Sequence, residues 1–182
     1  MAWMLVAGSI PTAAIGAGLQ MVSDVLFSSL LLVGVSLMIT GGILLGTRWI
    51  RQENESGMDL TIKQALLIGT VQGLAVIPGI SRSGSTIVAG LFLGINRDIA
   101  IRYSFLLSIP AILGALVLQV LTDPSGAGNI SLSIIAAGLV TSLIVGYAAL
   151  SLLVRMVQKG HLYFFTPYCI VLGVIVLAGL IV

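Results

Sequence analysis

The chain has 182 residues, of which 58% are hydrophobic and only 8% are charged, and its mean hydropathy is +1.20. Because a soluble domain carries roughly 25% charged residues, this composition predicts an integral membrane protein built from helices. The net charge of +2 is too small to indicate a nucleic-acid partner, and a single cysteine excludes a disulfide framework.

Two long apolar segments begin the chain, and both are predicted to span the membrane. The first runs from Trp3 to Met21 and is followed by Asp24. The second runs from Val25 to Gly46 and is followed by Arg48 and Arg51. An extended polar stretch, from Arg51 to Gln64, comes next and is expected to lie in water.

Five apolar segments follow the polar stretch. The runs from Ala65 to Pro78 and from Ser85 to Ile95 are shorter than the roughly 17 to 25 residues that a helix needs to cross a bilayer. Three later segments are long enough to span. They run from Ile101 to Leu121, from Ile130 to Val154 and from Leu162 to Val182.

The charges indicate how the two short runs are arranged. Basic residues in short loops favour the cytoplasmic side. If residues 65–95 crossed the membrane once, Arg97 and Arg102 would lie outside and break this rule. If the segment enters and returns, or crosses twice, all the basic loops stay inside, and Asp24 and Asp123 lie outside. We therefore predict one all-α polytopic membrane domain over residues 1–182, with about five spanning helices and one re-entrant helical hairpin, Ala65 to Ile95.

The tip of this hairpin, Pro78 to Thr86, has the chemistry of a phosphate site. Pro78 and Gly79 end the first half-helix, because proline lacks an N–H and glycine permits the turn. The second half-helix then begins with N–H groups that lack helical partners, and these attract anions. Arg82 adds a guanidinium group, which stays charged and can donate two parallel hydrogen bonds to a phosphate. The hydroxyl groups of the tip belong to Ser81, Ser83, Ser85 and Thr86.

An alternative is that Arg82 pairs with a carboxylate of the bundle and that the serines only cap a helix. All six acidic residues fall in loops or at segment ends: Asp24, Glu53, Glu55, Asp59, Asp98 and Asp123. The sequence therefore favours an anion from outside the chain, since an ionisable residue inside a membrane is a functional candidate.

The motif PGISRSGST, Pro78 to Thr86, resembles the second signature of the BacA-type undecaprenyl-diphosphate phosphatases. The flanking sequences LTIKQALLIGTVQGLAVIPG and LFLGINRDIAIRYSFLLSIPAILGA resemble the same family. The resemblance implies a multi-pass protein of the bacterial plasma membrane that removes the terminal phosphate of a polyprenyl diphosphate lipid for cell-wall synthesis. It also implies two re-entrant hairpins related as an inverted repeat.

By this resemblance, Arg82 and Gly79 bind the diphosphate, and Ser81, Ser83 and Thr86 donate hydrogen bonds to its oxygens. Gln72 and Ser85 are expected to contact the binding residues rather than the diphosphate itself. For Gln72, a hydrogen bond between helices is an equally good interpretation. Membrane lipids are further expected partners, and a homo-oligomer is left open.

The chain also departs from the family pattern, because no E-x-x-x-E pair lies in an apolar helix and the single histidine, His161, stands at a segment boundary. The chain thus resembles the C-terminal two thirds of the family fold, although a natural short paralogue is an alternative. The divalent metal that the family implies, Mg²⁺ or Ca²⁺, is expected to have its ligands in the part that is absent. We therefore expect this chain to be inactive alone, with lipid-phosphate or anion binding or transport as the alternative function.

One internal similarity has no assigned function. The segments SIPTAAIGAGLQ, Ser9 to Gln20, and SIPAILGALVLQ, Ser108 to Gln119, share Ser-Ile-Pro at one end and Leu-Gln at the other. Chance is a serious explanation for so short an apolar match.

Overall fold

The computed structural model describes residues 1–50, 60–122 and 131–180, and the regular elements within these ranges are all helical. Four helices are long and apolar enough to cross a membrane, which confirms a polytopic helical membrane protein. A fifth apolar segment, Leu162–Ala178, is shorter. The α-helices are α1 (Ala2–Gln20), α2 (Ser23–Ser28), α3 (Leu30–Gly46), α4 (Ile62–Leu74), α5 (Arg82–Phe92), α6 (Arg97–Thr122), α7 (Leu132–Gln158) and α8 (Thr166–Ala178).

Two of the predicted spans are divided in the structure. The segment from Val25 to Gly46 breaks at Ser29, whose backbone is extended and whose Oγ accepts a hydrogen bond from Leu32 N, 3.3 Å away, at the start of α3. The segment from Leu162 begins with a 3-10 turn, Leu162–Phe165, before α8. Both breaks are local, because a serine cap and a proline in the first turn of α8 each define a helix start. The predicted polar stretch from Arg51 lies outside the described residues as far as residue 59.

Helices α4 and α5 form the predicted hairpin. The side-chain amide of Gln64, in the first turn of α4, donates to the carbonyl of Leu93, just after α5, over 3.1 Å. The chain therefore enters and leaves the hairpin at the same end. With 13 residues in α4, the first arm is about 20 Å long, which is shorter than the roughly 30 Å of a bilayer core.

Helix α1 packs along α4, and α6 joins them at the same end of the bundle. A Cβ atom on Gly69 would overlap the backbone of Gly8, so the two helices approach as closely as glycine allows. The Tyr103 hydroxyl donates to the carbonyl of Met4 over 2.8 Å and ties α6 to α1. Such contacts between small residues and interhelical hydrogen bonds are the usual basis of helix packing in membranes.

Helix α3 packs in the same way against α8 on the other side of the hairpin. The Thr166 hydroxyl donates to the carbonyl of Gly41 over 3.2 Å, and a Cβ on Gly34 would meet Leu177. The hairpin is thus held between the α1 and α6 pair and the α3 and α8 pair. Helix α7 is the most exposed of the candidate spans.

Candidate phosphate-binding site

The tip of the hairpin is fixed against the middle of α3 by Gly79. This glycine has a φ of +92°, a conformation that side chains disfavour. A Cβ at Gly79 would lie 2.6 Å from the carbonyl oxygen of Val33 and 2.9 Å from the Cβ of Ser36. The tip therefore packs directly on the backbone of α3, within the candidate span Leu30–Trp49.

Thr40 of α3 fastens the same tip through two hydrogen bonds. Its hydroxyl donates to the carbonyl of Gly79 over 3.0 Å and accepts from the backbone N–H of Ser81 over 3.2 Å. The side chain is 2% exposed. The sequence does not single out Thr40, because a threonine within an apolar span commonly bonds its own helix.

Replacing Thr40 with valine is expected to lower the free energy of unfolding by about 1 to 3 kcal/mol, because it removes two partly buried hydrogen bonds to the backbone of the tip at nearly constant volume. Thermal unfolding in detergent measures this change. Thr40→Ser should retain most of the stability. Thr70→Val is the matched control, since the Thr70 hydroxyl bonds only Leu66 of its own helix. Equal losses for Thr40→Val and Thr70→Val would contradict the assigned role of Thr40.

Helix α5 begins at the tip and directs unpaired N–H groups out of it. Ser81 is the N-cap residue, and its Oγ accepts a hydrogen bond from Gly84 N over 3.2 Å. Among the described residues, the backbone N–H groups of Arg82 and Ser83 have no acceptor. These groups point outward at the positive end of the helix dipole, an arrangement that favours an anion.

The Arg82 side chain projects from the first turn of α5 and is half-buried. Within the described ranges, no carboxylate or carbonyl accepts a hydrogen bond from its guanidinium. The two acids in those ranges are elsewhere: Asp24 begins α2, and Asp98 accepts from Gln158 Nε2 over 2.9 Å. The alternative of an internal ion pair for Arg82 therefore gains no support from the described residues.

The hydroxyl groups of the motif divide into two sets. Ser81 and Ser83 line a cavity of about 360 Å³, whose other walls come mainly from α3 and the Leu162–Cys169 region. Thr86 instead faces α6, where its hydroxyl pairs with that of Ser104, and it also donates to the carbonyl of Arg82 in its own helix over 2.9 Å. The Ser85 hydroxyl is buried and has no hydrogen-bond partner in the part of the chain that the structure describes. The structure thus brings Ser81 and Ser83 together at the tip and places Thr86 in the helix interface.

Gln72 lies in the last turn of α4 and connects this helix with α1 and α6. Its side-chain nitrogen donates to the carbonyl of Leu107 in α6 over 3.1 Å and to the Thr12 hydroxyl of α1 over 3.4 Å. This is the interhelical hydrogen bond that the sequence left open as an alternative. The side-chain oxygen of Gln72 is buried, and none of the described residues donates a hydrogen bond to it.

The described residues do not fit a metal ion. No group of three or more histidine, cysteine or acidic residues comes together in residues 1–50, 60–122 and 131–180. His161 contacts the rings of Tyr163 and Phe164, which agrees with a packing role at the end of α7.

Comparison with known proteins places nearly the whole chain in one family. The family model described as "Bacitracin resistance protein BacA" matches residues 1–175. A relative from Desulfatibacillum aliphaticivorans named undecaprenyl-diphosphatase is 49% identical over 179 residues, which cover 98% of this chain and 64% of that protein. The chain thus spans less than two thirds of the length of this relative. A second relative with this name, from Desulfosudis oleivorans, is 48% identical, and 63% of it is covered.

A third relative shows that the length varies among proteins of this name. The undecaprenyl-diphosphatase of Methanothermobacter thermautotrophicus is 40% identical over 182 residues, which cover 98% of this chain and 100% of that protein. The hairpin, its arginine tip and the spanning helices around it all lie within the matched region. The chain therefore belongs to the BacA family.

Proposed function

We propose that the protein acts on undecaprenyl diphosphate and that its hairpin tip forms the phosphate-binding half of an undecaprenyl-diphosphate phosphatase site. The observation that carries this proposal is Arg82, a half-buried permanent cation at the tip of the hairpin with no polar partner among the described residues. A buried or half-buried charge without a partner is costly. A phosphate ligand would provide that partner, and the relatives' names indicate which lipid carries it.

The binding role follows from the chemistry of the tip. The Arg82 guanidinium donates two parallel hydrogen bonds to phosphate oxygens, and the free N–H groups of Arg82 and Ser83 add neutral donors. The hydroxyls of Ser81 and Ser83 remain available as further donors. Gly79 and Thr40 hold these groups in place, so that little ordering is needed when the ligand binds.

Hydrolysis of a diphosphate also needs a nucleophile, proton transfer and charge screening. The described residues contain no cluster of histidine, cysteine and acidic side chains that would hold a divalent metal to screen the charge. We therefore assign binding to these side chains and derive no catalytic step from them. The Mg²⁺ or Ca²⁺ requirement, the inactivity of the chain alone and a homo-oligomeric state remain predictions.

A second candidate function is a membrane protein that binds or transports lipid phosphates or anions. Helix ends that meet within the membrane also form the binding sites of transporters. The observation that favours this candidate is the start of α5, where the N–H groups of Arg82 and Ser83 have no acceptor among the described residues. The two functions differ in one product, inorganic phosphate.

The decisive experiment measures both binding and phosphate release. We expect the purified 182-residue chain to bind undecaprenyl diphosphate in detergent and to release no phosphate above background with Mg²⁺ or Ca²⁺. The longer relative from Desulfatibacillum aliphaticivorans is the positive control. Failure to bind the lipid would overturn the proposed function. Metal-dependent release at the rate of the longer relative would show that the expected inactivity is wrong.

A further inference from the structure

The start of α6 and the end of α7 are joined by two hydrogen bonds. The Arg97 guanidinium donates to the carbonyl of Gln158 over 3.1 Å, and the Gln158 side-chain nitrogen donates to the carboxylate of Asp98 over 2.9 Å. Gly160, which follows α7, has a φ of +73°, and a Cβ there would lie 2.7 Å from a guanidinium nitrogen of Arg97. These residues define the α6–α7 junction, where the two antiparallel helices meet.

The α6–α7 junction is also the region through which α7 is attached to the rest of the described structure. Residues 132–150 of α7 are all exposed, whereas Val157 is 1% exposed and Leu153 and Val154 pack against the core. Helix α7 is thus held near its C-terminal end. A ligand that binds both helices at the junction would strengthen this attachment.

Arg102 and Arg155 lie on the same side of the junction. Arg102 is four residues after Asp98 in α6, and Arg155 is three residues before Gln158 in α7. Residues three or four apart share a face of a helix. Because the helices are antiparallel, the two arginines lie about one turn beyond the contact between Asp98 and Gln158, one on each helix. Both side chains are exposed.

The junction carries an excess of positive charge. Within the described ranges, neither Arg102 nor Arg155 has a hydrogen-bond or ion-pair partner. Asp98 is the one acidic residue of the junction and accepts from Gln158. The four basic residues are Arg97, Arg102, Arg155 and Lys159. Neighbouring cations repel each other, and an anion between them offsets this cost.

The lengths of the two helices place the arginines at the level of the lipid headgroups. Helix α6 has 26 residues and α7 has 27, so each is about 40 Å long. Both exceed the roughly 30 Å of the hydrocarbon core, so we expect their end turns to reach the headgroup layer. Arg102 lies in the second turn of α6, and Arg155 lies in the last turn of α7.

The tryptophans of the chain mark the same end of the bundle as a membrane interface. Trp3 precedes Met4, whose carbonyl accepts from Tyr103 in the second turn of α6. Trp49 follows Gly46, where a Cβ would lie 3.0 Å from the ring of the last residue of α5. The two tryptophan side chains are 82% and 70% exposed. Tryptophan is enriched where a membrane meets water.

We propose that Arg102 and Arg155 together bind the phosphate of an anionic membrane phospholipid, such as phosphatidylglycerol, whose headgroup bridges α6 and α7. Each guanidinium donates parallel hydrogen bonds to phosphate oxygens. The excess of basic residues favours an anionic headgroup over a zwitterionic one, and basic pockets between membrane helices commonly bind such lipids.

The surroundings of the two arginines favour a lipid over free phosphate. Leu106 is one turn after Arg102, Leu152 is one turn before Arg155, and both leucines are exposed. They therefore provide apolar surface for acyl chains on the membrane side of the headgroup. This site is separate from the hairpin tip, because Arg82 begins α5, about 15 Å along that helix from its last residue. The inference does not rest on the proposed function.

Phospholipid binding and thermal unfolding in detergent test this site. We expect phosphatidylglycerol to bind the purified 182-residue chain and to raise its Tm, and phosphatidylcholine to bind about tenfold more weakly or less. The double variant Arg102→Gln with Arg155→Gln should raise the Kd for phosphatidylglycerol about tenfold or more and lose the Tm increase. Arg48→Gln with Lys63→Gln is the matched control, because these exposed residues carry the same charge at the same end but lie outside the junction.

Each contrary outcome overturns the proposal for a different reason. Equal losses in the double variant and in its control would show that only the overall positive charge attracts the lipid. Equal binding of phosphatidylcholine, or an equal Tm increase with inorganic phosphate alone, would exclude an anionic phospholipid as the specific ligand. Loss of phosphatidylglycerol binding in Arg82→Ala would place the lipid at the hairpin tip instead.

A measurement on the unmodified protein decides the question if the double variant does not fold. The probe is phosphatidylglycerol with a photoreactive headgroup, and the crosslinked residues are identified by mass spectrometry. Crosslinks to residues 97–105 and 151–161 would support the site. Crosslinks confined to other segments would overturn it.

Discussion

Replacing Arg82 with alanine is expected to raise the Kd for undecaprenyl diphosphate by about 100-fold or more. Two charge-assisted hydrogen bonds of about 1.5 to 3 kcal/mol each account for a loss of this size. The fold should not suffer, because the described residues contain no hydrogen-bond partner of the guanidinium. Equilibrium binding and thermal unfolding, measured on the same detergent-solubilised samples, separate the two effects.

Two further variants sharpen the result for Arg82. Arg82→Lys should recover only part of the affinity, because an ammonium group keeps the charge but loses the paired geometry. Ser151→Ala on α7 is the control, since Ser151 makes no hydrogen bond in the described structure and does not line the cavity at the tip. In a longer family member, the equivalent arginine variant should lose phosphate release as well. Nearly normal binding by Arg82→Ala would remove the basis of the proposed function.

Replacing Gly79 with alanine is expected to lower the free energy of unfolding by about 3 kcal/mol or more. The φ of +92° is strained for alanine, and the new Cβ would lie 2.6 Å from the carbonyl oxygen of Val33. This atom is backbone within α3 and cannot rotate away. The tip must therefore move from α3, which breaks the Thr40 hydrogen bonds and weakens phosphate binding together with stability.

Gly94→Ala separates the two causes of this loss. Gly94 has a φ of +76°, but a Cβ there meets nothing within 4 Å. It should therefore cost only the backbone strain, about 1 kcal/mol, and leave lipid binding unchanged. The denaturation midpoint in detergent and the Kd for undecaprenyl diphosphate are measured for both variants. Equal effects at the two glycines would show that contact with α3 does not hold the tip.

The Arg82 and Gly79 variants concern the same physical arrangement. Arg82 is available to a ligand because nothing in the described chain binds it, and the turn that presents it is held by tight backbone contacts with α3. We expect Arg82 to contribute to binding and little to folding, and Gly79 to contribute to both. This combination is typical of a preorganised site.

The sequence by itself determined the class of protein and the hairpin, and it singled out Arg82, the residue on which the proposed function rests. Apolar length and charge placement are one-dimensional properties, so they identify membrane helices and the two half-helices of α4 and α5 without coordinates. The positions of the acidic residues likewise predicted that Arg82 lacks an internal partner, because no acidic residue lies within an apolar segment. The family motif in PGISRSGST was recognisable for the same reason.

Only the tertiary structure decided how these groups are shared between binding and packing. Thr86 and Ser81 look alike in the sequence, but the first bonds Ser104 in a helix interface and the second lines a cavity. The role of Thr40 and the meeting of the two similar segments of α1 and α6, which line one cavity, also depend on contacts between distant parts of the chain. A hydroxyl or a small residue suits several environments equally well, so its role follows from which helix packs against it.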